Sequence, residues 1–461
     1  MQTLLRQVEF MHEPDFDLLL YFKIVNDIIV TIEYKITQMN RIFNFSLLLL
    51  LMVLTLSQSL KVQSQSGWRG PDRNGIYQET GLLQSWPEEG PELVWETTDA
   101  GPGYSSPVIA GDHLYIAGMN NSRDREILSA YTLHGEKLYE TEYGSPWDAS
   151  YPETRTTPTI VGDRAWVISG QGEVVCIDIT NGAIVWKVEG GEVFERGSGR
   201  WGTAESPLVF DNKVIYTPGG DQTTMVALDK QSGDLVWKSP PLGDNYGYVS
   251  PLLITHNGRR QIVAMTEDNA FGVDPENGRI EWTFGDWGRD RGSNITTNTP
   301  LYSDGRLFFS NGYGINSFML ELNEDAKGIT LAWRNEDHGT HHGGFVLVGG
   351  VIYGSNWISN NQGNWVAVDW NTGETLYNEE WGRGVSKGSV ISAGDMLYCY
   401  DERRGMVGLV NPNRTSFEVV SQFRMTGGEG PHWSHPVIHD GILYVRHGNA
   451  LKAYDIREWT E

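Results

Sequence analysis

Eight residues at or just before the starts of apolar, strand-like runs carry side chains able to do chemistry together: Arg155, Trp201, Glu205, Tyr248, Asn298, His342, Lys387 and His435. Arg and Lys supply charge-assisted hydrogen bonds to an anionic or carbonyl-bearing group, Trp and Tyr supply flat faces, and His supplies a donor or acceptor tunable near neutral pH. Gathered at one mouth, such a set would bind a ligand: a quinone carboxylate, a sugar or a peptide terminus. Paired with one another, the same side chains would fill a channel as a polar plug. The residues alone leave both outcomes open.

Other chemistries find less support. There is no G-x-S-x-G elbow, and no Ser or Cys is placed by the sequence beside a His and an acid. His341 and His342 are neighbours, and neighbours in a strand point to opposite faces, so the two could share an ion only where the backbone is irregular. His338 and His432 lie in other links, and no H-x-E-x-H or H-E-x-x-H spacing occurs, so no metal is expected. The pairs Glu88–Glu89 and Glu379–Glu380 read as solvated faces.

The elements that must position these residues are written in a repeat. DITNGAIVWK (178–187) recurs as DKQSGDLVWK (229–238), DPENGRIEWT (274–283) and, more loosely, DWNTGETLYN (369–378). Around it, openings such as SSPVIAGDHLYIAG (from Ser105), TTPTIVGDRAWVISG (from Thr156) and SHPVIHDGILYVRHG (from Ser434) make eight units about 44 to 51 residues apart, the spacing of four-stranded propeller blades. Period-2 alternation and Gly-containing turns place the strands of the second unit at 157–161, 164–169, 174–179 and 184–188. The decapeptide is then the hairpin between third and fourth strands, and Trp186, Trp237 and Trp282, at one fixed offset, pack between blades. The eighth unit ends after three strands, whereas PELVWETT (91–98) is a fourth strand lacking its first three. Pairing them closes the ring and removes two exposed edges. The expected fold is all-β: an eight-bladed β-propeller of four-stranded antiparallel blades over 93–457, with an extended leader at 65–92 and its last blade completed by an N-terminal strand.

Turns between strands one and two and between three and four emerge on one face, and here they are uniformly short. The interblade links emerge on the other face with the two-to-three hairpins, and they are long and rich in aromatic and charged residues. A rigid scaffold presents its binding loops there.

The G-x-x-x-W hairpins (Gly182–Trp186, Gly233–Trp237, Gly278–Trp282), the SPVI-like openings and the leader GWRGPDRNG (67–75) resemble PQQ-like propeller repeat proteins over nearly all of the chain after its first 64 residues. That superfamily includes quinoprotein alcohol dehydrogenases and non-enzymatic relatives such as outer-membrane assembly factors of the BamB type. The resemblance implies the fold. It implies two functions: a ligand- or protein-binding scaffold of the cell envelope or, alternatively, a small quinoprotein dehydrogenase of alcohols or sugars using pyrroloquinoline quinone with calcium. The adjacent cysteine pair typical of the dehydrogenases has no counterpart, since Cys176 and Cys399 lie in different blades. Both read as core thiols, and neither sits where an acylated anchor would.

From Met39 a short basic head, an apolar run over 42–56 and a polar stretch read as a secretory signal at 39–64, too short to span a bilayer. Residues 1–38 precede it awkwardly and read as a misassigned start. Export to the periplasm or outside is the expectation, with no stable membrane insertion of the mature chain. A net charge of −24 repels phosphate backbones, so the expected partner is a small molecule or an envelope protein at the channel mouth, not nucleic acid.

Overall fold

The computed structural model describes residues 23–39, 66–287 and 295–458. The chain forms two units, Met1–Gln63 and Ser64–Glu461. In the first, residues 23–39 form a helix with mostly exposed side chains. No described helix is long and apolar enough to cross a membrane. Apart from Met39, the signal segment expected at 39–64 lies outside the described residues.

The second unit is the eight-bladed propeller. Seven blades are built from four consecutive antiparallel strands and the eighth from three plus a strand brought from the N-terminal side. Blade two runs Thr159–Val161, Arg164–Ile168, Val174–Asp178 and Ala183–Val188, close to the bounds read from alternation. Second and third strands are covered on both faces by neighbouring blades, so they are almost wholly apolar and buried, as in Val174–Asp178. Fourth strands line the rim and alternate half-buried with exposed residues, as in Lys137–Gly144. Cys176 and Cys399 are buried free thiols in separate blades.

The repeated decapeptide interlocks one blade with the next. Its Asp accepts hydrogen bonds from the turn backbone, as Asp229 Oδ1 does from the amides of Gln231 (2.9 Å) and Ser232 (3.0 Å), which fixes the hairpin. Its Gly adopts a left-handed φ, 78° at Gly233 and 76° at Gly278. The preceding blade's Trp lies against that glycine: a Cβ on Gly233 would sit 2.8 Å from Trp186 and one on Gly278 2.5 Å from Trp237. Each indole then donates to a carbonyl of the next blade, Trp186 to Lys230 at 3.1 Å and Trp237 to Pro275 at 3.1 Å. Trp282 departs from this. It donates to Gln261 Oε1 at 2.8 Å, and Gln261 in turn donates to Ala326 of the following blade at 3.0 Å.

Closure follows the expected route. Glu92–Thr97 lies antiparallel to Ala450–Asp455, from Glu92 opposite Asp455 to Thr97 opposite Leu451, with a bulge between Leu93 and Trp95. Trp95 plays the interblade role across this seam, donating to Leu133 of blade one at 2.8 Å.

The leader is not a peripheral extension. It threads the centre of the ring, pairing Ser66 with Ile160 of blade two and Ile76–Tyr77, in parallel, with the inner strand Gly388–Ala393 of blade seven. Two leader arginines, both buried, tie the inner strands together. Arg69 donates to Phe345 O (2.5 Å), Val390 O (3.2 Å) and His435 Nδ1 (2.9 Å), reaching blades six, seven and eight. Arg73 donates to Pro251 O (3.0 Å), Ser206 O (3.2 Å), Pro207 O and Thr159 Oγ1 (3.3 Å), reaching blades four, three and two. The central channel is therefore plugged, by the chain's own leader.

Candidate functional site

Above the plug, on the face of the interblade links and two-to-three hairpins, the ring holds a cavity of about 460 Å³. Trp68 of the leader is among its lining residues, its indole donating to Thr299 Oγ1 at 3.0 Å and its ring 4.6 Å from that of His435. Tyr104, Tyr151, Trp201, Tyr248, Tyr313 and Trp433 supply aromatic surface around it. Their rings prop one another: Trp433 lies 4.8 Å from Tyr104 and 5.0 Å from Tyr151, and Trp201 lies 5.7 Å from Tyr248.

Four of the eight residues singled out from the sequence line this cavity: Arg155, Trp201, Tyr248 and His342. Arg155 is held by the carbonyls of Ser150 (3.0 Å) and Tyr151 (2.6 Å), and burial lowers its pKa. The Tyr248 hydroxyl accepts from the amides of Arg200 (2.9 Å) and Trp201 (3.3 Å), which fixes the link that carries Trp201.

The other four are buried and serve as supports. Glu205 accepts from the amide (3.0 Å) and hydroxyl (3.2 Å) of Thr217. Asn298 donates to the carbonyls of Ser310, Thr340 and His341 at 3.0, 3.0 and 3.3 Å. Because Arg69 can only donate, His435 Nδ1 must accept from it, so Nε2 carries the proton and donates to the His342 carbonyl at 3.0 Å. Lys387, with no exposed side-chain surface, sits 2.5 Å from Glu402 Oε1 and donates to Ser359 O and Asn360 O at 2.9 Å each.

Neighbours in one strand would split His341 and His342 to opposite faces, but residues 338–344 have no regular structure. Their rings lie side by side, centroids 4.1 Å apart, and both face the cavity together with Glu402. Burial, reinforced by Lys387, holds both imidazoles neutral, with pKa values of about 3. Tyr313, Asn360, Asn361, Glu402 and Arg403 join the site from two-to-three hairpins. Reasoning from the links alone missed them, although those hairpins emerge on the same face.

Two buried carboxyls give the second unit a pH signature. Burial pushes Glu205 and Glu126 up to about 8 from 4.5, against the opposing hydrogen bonds of Thr217 and of Tyr143 respectively. The folded state therefore binds protons that the unfolded chain has released, so stability falls as pH rises from about 4.5 to about 8. Each group contributes at most about 1.4 kcal/mol per pH unit. Melting followed by circular dichroism from pH 5 to pH 8.5 is expected to show this decline, flattened in the E126Q/E205Q double variant. Parallel profiles for the two proteins would sink the assignment.

Comparison with known proteins agrees with this architecture. The family model described as outer membrane protein assembly factor BamB matches residues 57–187 and 124–379, more than half of the chain. Assembly factors BamB of Bordetella pertussis and Alkalilimnicola ehrlichii are 26% identical over 180 residues and 24% over 211, covering 37% and 45% of this chain. The chain spans only 41% and 48% of the length of those relatives. Among solved structures, BamB from Moraxella catarrhalis superposes with a TM-score of 0.56 at 16% identity, over 79% of this chain and 99% of that one. Quinohemoprotein alcohol dehydrogenase from Comamonas testosteroni superposes at 0.57 and 11% identity, over 85% and 80%. Structural likeness at such identities speaks for the fold, whereas the family model matches sequence: the chain belongs to the PQQ-like propeller family described as outer membrane protein assembly factor BamB.

Proposed function

We propose that this protein is an exported binding scaffold of the cell envelope, which holds a segment of a partner protein or a small ligand in the cavity on its elaborated face. The observation that carries this reading is the cavity itself: about 460 Å³, walled by mutually propped aromatic rings, with Arg155 and Arg403 among its lining residues. That size and mixture suit a few side chains or one small molecule bearing an anionic group. The printed names of the relatives, outer membrane protein assembly factors, support the envelope setting.

The dehydrogenase alternative asks for calcium, which takes six to eight oxygen ligands. Among the described residues lining the cavity Glu402 is the one carboxylate, and its neighbours there are two imidazoles. With one Glu402 oxygen taken by Lys387 and imidazoles beside the other, a carboxylate-rich calcium shell finds little support even with Asn360 and Asn361 in the wall, and no step is derived through the quinone.

A photo-cross-linking residue at Tyr151, in the cavity wall, is expected to capture an envelope protein in cells. One at Asp163, in a short turn on the opposite face, is not. Capture at Tyr151 should be lost on adding W201A or R155M, with melting unchanged. Capture from Asp163 alone would overturn the reading, as would turnover of an alcohol or sugar by the purified chain supplied with pyrroloquinoline quinone and calcium.

A further inference from the structure

The geometry points to a transition-metal site in the cavity wall, formed by His341 Nδ1, His342 Nε2 and Glu402 Oε2, with an open coordination position facing the cavity. These three atoms lie within 4.8 Å of one another. Glu402 Oε2 is 3.6 Å from His341 Nδ1 and 3.4 Å from His342 Nε2. In a tetrahedral site with bonds of about 2.0–2.2 Å, ligand atoms are separated by about 3.4 Å, close to the two distances from Glu402 Oε2.

A second observation is independent of the spacing. All three atoms are buried and have no hydrogen-bond partner, although His341 and Glu402 are more than nine-tenths buried. Buried polar atoms are normally paired, and three orphans converging on one point ask for a common partner. A cation satisfies all three at once.

Much of what lies behind the three atoms is held in place, as metal ligands require. The remaining nitrogen of His341 meets the Tyr313 hydroxyl at 2.8 Å; in the Nε2–H tautomer the hydroxyl accepts that proton and the Nδ1 lone pair is free for an ion. Lys387 holds the other oxygen of Glu402 at 2.5 Å, aiming Oε2 at the imidazoles. The carbonyls of the two histidines are gripped by Asn298 and His435. Three of the supports singled out from the sequence thus position this cluster. The expectation of no metal rested on the lack of a ligand-spacing motif, which a site assembled from separate blades does not need, and on strand geometry that residues 338–344 do not have.

Two imidazoles and one carboxylate favour a borderline divalent ion such as Zn²⁺ or Ni²⁺ over calcium or magnesium. Because all three ligands line the cavity, the fourth position is left for water or for an anionic group of whatever enters. The site stands on these atoms alone, whatever the cavity binds.

The test is calorimetric titration of tag-free full chain, stripped with a chelator, with Zn²⁺, and the visible spectrum of its Co²⁺ form. About one equivalent of Zn²⁺ should bind, with Ca²⁺ at least tenfold weaker, and Co²⁺ should give the d–d bands of a nitrogen-ligated, low-coordinate ion. H342A, or H342Q should the smaller side chain disturb folding, should weaken Zn²⁺ binding tenfold or more and abolish the bands. H439A should change neither; it tests the other cluster in the described residues able to hold an ion, Glu79, His439 and Asp440. The proposal is overturned by absence of stoichiometric binding, by binding that survives in both His342 variants, by loss in H439A, or by Ca²⁺ binding as tightly as Zn²⁺.

Discussion

A chain lacking residues 1–98 is expected to aggregate, whereas one lacking 1–65 should stay monomeric and melt cooperatively. The longer deletion removes Glu92–Thr97, which completes the last blade against Ala450–Asp455, and with it Trp95, which bonds across the seam to Leu133. An open ring exposes unpaired strand edges on either side of the gap, and such edges template association. The deletion also removes Arg69 and Arg73, whose guanidinium groups bond to carbonyls of four inner strands or their approaches. The combined loss is comparable with the whole stability of a domain, on the order of 5–15 kcal/mol. An intermediate deletion of 1–90 separates the contributions: it keeps the closing strand and loses the plug, so it should remain monomeric but melt lower. Size-exclusion chromatography and thermal melts decide. If the 1–98 deletion stays monomeric and melts like the 1–65 deletion, the ring is not closed by this strand.

The second large effect is expected from Arg446→Met. Arg446 is fully buried in the second strand of blade eight, and its guanidinium donates to Gly448 O (2.8 Å), Ser105 O (2.8 Å), Ala117 O (2.7 Å) and Gly101 O (2.7 Å). Three of these carbonyls belong to blade one or its approach, so one side chain ties the last blade to the first. Burial lowers its pKa to about 9, yet it stays charged at neutral pH because four carbonyl dipoles converge on it. Methionine matches the aliphatic stem but leaves the carbonyls buried and unpaired, a cost of about 3–5 kcal/mol in chemical denaturation. Lysine cannot reproduce the planar fork, so R446K should recover only part of the loss. A change below about 1 kcal/mol for R446M would show that the seam is held by strand pairing alone.

The sequence by itself determined the propeller. Strand alternation, turn chemistry and the D-x-x-x-G-x-x-x-W repeat are local signals, each read within a dozen residues, and their spacing counted eight blades and located the missing strand at 91–98. It also identified the elaborated face, because link length and composition are visible in the chain. Half of the eight residues singled out belong to the site for the same reason: Arg155, Trp201, Tyr248 and His342 stand on links that lead directly to the cavity.

Tertiary structure decided the rest, because convergence at the axis joins residues far apart in sequence. GWRGPDRNG reads as a polar turn, and only a closed ring with unsatisfied inner carbonyls makes its arginines the core of a plug. Lys387, Asn298 and His435 look like mouth residues, yet the inner strands turn them toward buried partners. Glu402 is 60 residues from His342 and sits in a hairpin with no motif of its own. It meets the two histidines because blades six and seven are neighbours and because the backbone at 338–344 abandons strand geometry, an arrangement no local periodicity encodes.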